Sequence, residues 1–223
     1  MKRSCRLEIT LAALFLAAIA LTWAWQNPGA FGSRASQADI DRYIAVLEKS
    51  HVPEPERATM IASVRTWLAA DDGKPVYMLN LMRYYNELRR FPGGPTEGKP
   101  RDVNQRYEDA AIPLLMKFGG YPQYVSVAQG GNLIEGRPEL DNWDRVLFVR
   151  YPSRRAVMEV FTDPRFVAIV GDKLASLSVV LTPTTPELRI PELPWLLTAI
   201  LLPLWLAIGW WRSARFARAL APR

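Results

Sequence analysis

Two stretches without a single charge bracket this 223-residue chain. Ile9 to Trp25 reads ITLAALFLAAIALTWAW, and Leu193 to Trp211 reads LPWLLTAILLPLWLAIGWW. A bilayer crossing takes about 20 apolar residues, with a range of about 17–25. Both runs meet that length, and Trp23, Trp25, Trp195, Trp210 and Trp211 sit near their ends, where indoles favour an interface. The sequence therefore predicts a transmembrane helix at each end. It divides the rest into a leader (1–8), a linker and helical extension (26–74), a central domain (75–185), a second linker (186–192) and a basic tail (212–223).

Charge follows the same division. The leader holds Lys2, Arg3 and Arg6 against Glu8, and the tail holds Arg212, Arg215, Arg218 and Arg223. Taking these seven basic and one acidic side chains from totals of 28 and 22 leaves 21 of each sign between the runs. The net charge of +6 thus lies outside the runs and marks topology rather than a nucleic-acid surface. Basic flanks expect both termini in the cytoplasm and the central domain in the periplasm, as in a two-pass inner-membrane protein. A cleaved signal peptide competes for the first run, but QNPGAFGSRASQA lacks a clean small-x-small site. The single cysteine, Cys5, precedes the first run, so the core domain is expected to hold without disulfides.

Between the runs the pattern alternates. Ser36 can cap a helix with Ile40, Tyr43, Ile44 and Leu47 on one stripe, and a second helix spans Glu56 to Ala70. Pro75 to Tyr84 is a strand whose alternation puts Val76, Met78, Asn80 and Met82 on one face and Tyr77, Leu79, Leu81 and Arg83 on the other. Asn86 to Asn104 is polar, aperiodic and rich in Gly and Pro, the composition of a lid or a disordered loop. A helix from about Gln105 to Phe118 ends at Gly119-Gly120, with Pro113 expected to kink it or mark its start. Strands follow at Tyr124 to Gln129, with Asn132 to Glu135 as a possible continuation, and at Trp143 to Tyr151. Ser153 and Asp163-Pro164 open two helices, and Ser178 to Thr182 is the last strand.

From Pro75 onward the order is β-α-β-β-α-β. This predicts an α+β, ferredoxin-like antiparallel sheet with helices on one face. The bare face needs a cover, and a second copy of the sheet is the expected one. MLNLMRY, a tyrosine-bearing helix ending in KFGG, and WDRVLFVRYPSRRAVMEVFTDPRF together resemble the DUF1330 family of dimeric α/β-barrel proteins over about Val76 to Thr184. The resemblance implies a homodimer joined through the sheet face. It implies no activity, although structural relatives include cofactor-free monooxygenases, lactone isomerases and haem peroxidases.

No metal or cofactor is expected. The only histidine, His51, falls in the extension, so the barrel segment offers no axial haem ligand and no zinc cluster. Glu139, Asp141, Asn142 and Asp144 are oxygen ligands of the kind Ca²⁺ takes, but read as a solvated turn. No G-x-S-x-G occurs, and GGNLIEG is not followed by a helix. The remaining candidates are polar residues on or beside apolar strands: Asn80, Arg83, Tyr107, Tyr124, Trp143 and Arg150. Asn80 with a tyrosine suits a substrate carbonyl or enolate, and Arg83 or Arg150 suits a carboxylate. Equally, Asn80 can tie to a neighbour while the arginines pair with Asp144 or Asp163. Three functions stand open: a binding module for a small apolar molecule, an assembly component with a membrane-protein partner, and a cofactor-free monooxygenase or isomerase.

Overall fold

The computed structural model describes residues 20–31, 34–50, 52–54, 56–131, 133, 142–185 and 193–219, with 9–10, 13–14 and 17. Cys5, His51, Glu139, Asp141 and most of the expected strand continuation, Ile134 included, lie outside them. The chain forms two compact units, one of Ala20–Thr185 and one that joins Met1–Ile19 to Pro186–Arg223.

The larger unit opens with a helical stretch at 20–26 and a short 3-10 turn, Pro28–Phe31. Helices α1 (Gln37–Glu48) and α2 (Glu56–Ala69) follow. The start of α1 is fixed by a reciprocal cap: the Asp39 amide donates to Ser36 Oγ, while Asp39 Oδ2 accepts from the Ser36 amide. The Ser36 hydroxyl, which donates to Asp39 Oδ2 at 2.8 Å, and the Ser36 amide together hold the pKa of the Asp39 carboxyl down to about 2. Strand β1 (Val76–Tyr84) leads to α3 (Pro100–Lys117), β2 (Tyr121–Val127), β3 (Arg145–Tyr151), α4 (Arg154–Phe161), α5 (Pro164–Ser176) and β4 (Leu177–Thr184). The strands form one antiparallel sheet in the order β2-β3-β1-β4, the split β-α-β arrangement of ferredoxin-like folds.

Local rules explain most boundaries. Ser153 accepts from the Ala156 amide, and Asp163 accepts from the Arg165 amide with Pro164 at the first helical position. Helix α3 begins at Pro100 rather than near Gln105 and carries Pro113 in its interior. Gly119 takes φ +77°, which only glycine adopts freely, and a Cβ on Gly120 would stand 2.9 Å from Leu115 Cγ. The chain therefore leaves α3 tightly, and β2 starts three residues earlier than its sequence pattern suggests, with a register irregularity between Pro122 and Tyr124. Pro183 is tolerated inside β4 because β4 is an edge strand.

The core lies between sheet and helices. Val76, Met78, Val149 and Tyr151 pack against Ala111, Leu114 and Leu115 of α3, Val157 and Val160 of α4, and Phe166 of α5. Helix α4 has a second apolar side: Met158 joins Ile40, Tyr43, Ile44, Leu47 and Leu68, and so seats the N-terminal extension on the domain. The segment between β1 and α3 is pinned rather than loose. The Arg89 amide donates to the Ala175 carbonyl at 2.8 Å, and its guanidinium reaches Glu56 at 2.8 Å.

The expectation of two membrane spans, 9–25 and 193–211, is corrected. Among the described residues no helix is long and apolar enough to cross a membrane. Helix α6 (Leu193–Ala219) carries Pro203 inside it. Its last turns hold Arg212, Arg215 and Arg218, and the Arg215 guanidinium lies 4.6 Å from the Trp211 ring. The two-pass inner-membrane topology, with cytoplasmic termini and a periplasmic domain, falls with the spans.

Candidate functional site

Strand register decides what meets what. Val76, Met78, Asn80 and Met82 face the helices, directly beside Tyr151, Val149, Leu147 and Arg145 of β3. Tyr77, Leu79, Leu81 and Arg83 face the opposite side, away from α3, α4 and α5, beside Arg150, Phe148 and Val146. The six residues singled out in the sequence therefore split into two groups that share no site.

Asn80 and Tyr107 fall on the helix side. Asn80 is 3% exposed. Its amide donates to the Met78 carbonyl at 3.1 Å and the Leu147 carbonyl at 3.4 Å, while its Oδ1 accepts from Lys173 Nζ at 2.9 Å. Lys173 is half-buried as a residue, but its ammonium group turns inward, 5.4 Å from the Tyr107 ring centroid. Burial lowers its pKa to about 8, helped by the Arg145 charge and opposed by Glu108. Burial likewise pushes the Tyr107 hydroxyl well above its ordinary value, with a smaller contribution from Glu108.

A second polar group lies on the same layer. Arg145 donates to Glu108 Oε1 at 2.7 Å and to the Tyr84 hydroxyl at 3.2 Å. Asn104 donates to the same Glu108 oxygen at 2.8 Å and to Tyr84 at 3.3 Å. Its own Oδ1 is buried and has no partner among the described residues. Turning the amide over would not cure this, because the oxygen would then face the Glu108 carboxylate and the NH₂ would be orphaned. An unsatisfied buried carbonyl costs about 1–3 kcal/mol. Lys173 and Asn104 thus give this layer an ammonium with unused donors and an acceptor with no donor. These are the groups that orient a small molecule in an otherwise apolar setting.

Tyr84, Asn104, Glu108, Arg145 and Lys173 were not among the sequence candidates. A signal existed for three of them. Asn104 and Glu108 continue the stripe of Tyr107, Ala111 and Leu115, and Lys173 follows Phe166 and Val170 on the stripe of α5. Polar residues on an apolar stripe are informative, but 86–104 reads as loop in the sequence, which hides Asn104.

The other four candidates lie on the opposite side of the sheet or at its rim. Arg83 stacks on Trp143 at 5.9 Å, and Tyr124 is exposed. Arg150 is buried and bonds both the Oε1 and the main-chain oxygen of Gln26. The expected acidic partners are taken by other arginines: Asp144 by Arg101 at 3.2 Å and Asp163 by Arg165 at 2.7 Å. Asp144 also accepts from the Tyr84 amide at 2.8 Å, so it fixes the end of β1. Among the described residues no group of His, Cys, Asp and Glu has the makings of a metal site.

Fold and site together define an α+β domain with a four-stranded antiparallel sheet and a polar layer beneath its helices. Among solved structures, the chain is similar to RPA0582, a protein of unknown function from Rhodopseudomonas palustris. That match has 24% identity and a TM-score of 0.50, covering 63% of this chain and 98% of that one. The methylated RPA0582 protein matches at 25% identity and a TM-score of 0.50, over 64% and 97% of the respective chains. The likeness is one of fold. No family model matches the sequence, and no curated protein matches it.

Proposed function

We propose that this chain is a DUF1330-like protein that dimerises through the sheet face away from α3, α4 and α5 and binds a small, largely apolar molecule beneath its helices. The Lys173–Asn80 pair carries the reading. An ammonium drawn between sheet and helices, with a neutral amide as its hydrogen-bonding partner, spends stability that a Leu or Met would not. Perturbed titratable groups of this kind cluster at functional sites. The molecule it suits has an apolar body and a carbonyl or hydroxyl, placed between Lys173 and the carbonyl of Asn104, with Tyr107 as one wall. Dimerisation is supported by the apolar character of the opposite face, where Leu79, Leu81, Val146, Phe148 and Val180 lie on the side away from α3, α4 and α5.

Native mass spectrometry of the purified chain tests both parts. A dimer carrying a small-molecule mass is expected, with the adduct lost and the dimer kept in Lys173→Met. A monomer at all concentrations, or an adduct indifferent to that substitution, overturns the reading.

Cofactor-free proton-transfer chemistry, as in an isomerase or monooxygenase, is a second reading, favoured by the lowered pKa of Lys173. An amine near 8 leaves a neutral fraction at physiological pH to accept a proton, with Asn80 steadying the charge that results. If the co-purified molecule exchanges a carbon-bound hydrogen for deuterium in heavy water, and Lys173→Arg stops it, this reading gains. No exchange above the protein-free rate removes it.

A further inference from the structure

We infer that Arg150 is a carboxylate-binding site whose place is kept by the chain's own Gln26. This goes beyond the helix-side reading and stands or falls without it.

Arg150 sits on the sheet face turned away from α3, α4 and α5, beside Tyr77 of β1 and Tyr121 of β2. It is 6% exposed, and its guanidinium lies 5.7 Å from the Tyr121 ring. Its terminal nitrogens are both taken by one residue. Nη1 donates to Gln26 Oε1, and Nη2 donates to the Gln26 main-chain oxygen at 3.0 Å. Two oxygens presented to the two prongs of a guanidinium is the way a carboxylate is held. Here a neutral residue supplies them.

The contrast with the other arginines is what makes this informative. Arg42, Arg89, Arg101, Arg145 and Arg165, most of them more exposed, each reach a carboxylate. Arg150 is buried, yet reaches none among the described residues. A buried cation with only neutral partners is undercompensated, and an anion offering the same two oxygens binds it more strongly.

For an anion to take this place, Gln26 must give way. It closes the helical residues 20–26, and its remaining side-chain bond runs from Nε2 to the Gly119 carbonyl at 3.1 Å. Its neighbour Trp25 lies against Gly119. With this segment displaced, the guanidinium would meet, beside Tyr121, the strip of Phe148 and Leu79 that the proposed dimer covers, so the ligand would lie within that seam. The fitting ligand is a monocarboxylate on an aromatic or aliphatic body: the carboxylate takes the prongs, and the body lies along the apolar floor.

Benzoate is a suitable probe, with benzamide as its uncharged counterpart, titrated into the purified full chain by calorimetry or NMR. Gln26→Ala should bind benzoate about tenfold more tightly than the wild type, since the side-chain oxygen no longer competes. Benzamide should show no such gain. Adding Arg150→Gln, or Arg150→Lys, which keeps the charge but not the fork, should return binding to the wild-type level or below. Thermal melts check that each variant is folded, and chemical-shift changes at Tyr121 and Phe148 locate the probe. Equal affinities of Gln26→Ala and wild type would overturn the inference. So would a gain shared by benzamide, or one that survives both Arg150 substitutions.

Discussion

Asn80 is one amide in an apolar strand, and its neighbours give it a role that its type alone does not. It satisfies two carbonyls of the sheet and holds the Lys173 ammonium. Removing one partner of such a pair leaves the other buried alone. Asn80→Leu is therefore expected to cost about 3 kcal/mol or more, whereas Asn80→Leu with Lys173→Met should regain most of it, because the uncompensated charge goes with its partner. Urea titrations of the two single variants and the double complete the cycle; simple additivity would refute the coupling. Lys173 also sets a pH dependence. Its pKa falls from an ordinary 10.5 to about 8 on folding, so between these values the unfolded chain holds more protons than the folded one. Stability should therefore rise with pH from about 8 toward 10, by at most about 1.4 kcal/mol per pH unit, and Lys173→Met should abolish the rise. Above pH 10 the trend should reverse. Burial raises the hydroxyls of Tyr43, Tyr107 and Tyr151 in the fold, so the unfolded chain loses those protons first. Melting temperatures of the wild type and Lys173→Met across pH 7–11 separate the two effects.

Helix starts are where sequence and structure agree most closely. Ser36, Ser153 and Asp163 are capping residue types at capping positions, and each accepts a main-chain amide of the helix it opens. Asp163→Ala should cost about 1 kcal/mol in a chemical melt, and it should loosen the start of the helix that carries Lys173. Helix α4 shows what element-level reading leaves out. Its sequence gives an apolar side with Val157 and Val160, but Met158 is fully buried too, because α1 and α2 cover the helix from the other side. Met158→Ala is expected to cost about 2–5 kcal/mol and to raise amide exchange in α1 before it does in the sheet. Exchange that rises uniformly would argue that extension and domain unfold together.

At the scale of the whole molecule, the sheet face turned away from α3, α4 and α5 is the surface that dimerisation would cover. Leu79 and Leu81 lie near its middle, on the central strand β1. Leu79→Asp should convert a dimer into a monomer in sedimentation while leaving the Lys173 pH effect intact, since the two faces of one strand do not touch. An unchanged sedimentation coefficient would exclude this face as the interface.

Several features were fixed by the chain alone. Period-two alternation grouped Asn80 with Met78 and Met82, and set Arg83 apart from them, because successive strand residues must point to opposite sides. Cap chemistry set where α1, α4 and α5 begin. What the alternation could not supply was which of its two groups the helices would cover. That depends on α3 and α5 crossing the sheet on one side, a long-range event that puts Lys173 against Asn80, 93 positions away. The same holds for Arg150, whose partner lies 124 positions distant. Hydropathy is a sum over neighbours in sequence, which is why it suggested two spans that the described helices do not form. A buried charge and its partner belong to neighbours in space, and only the folded chain brings those together.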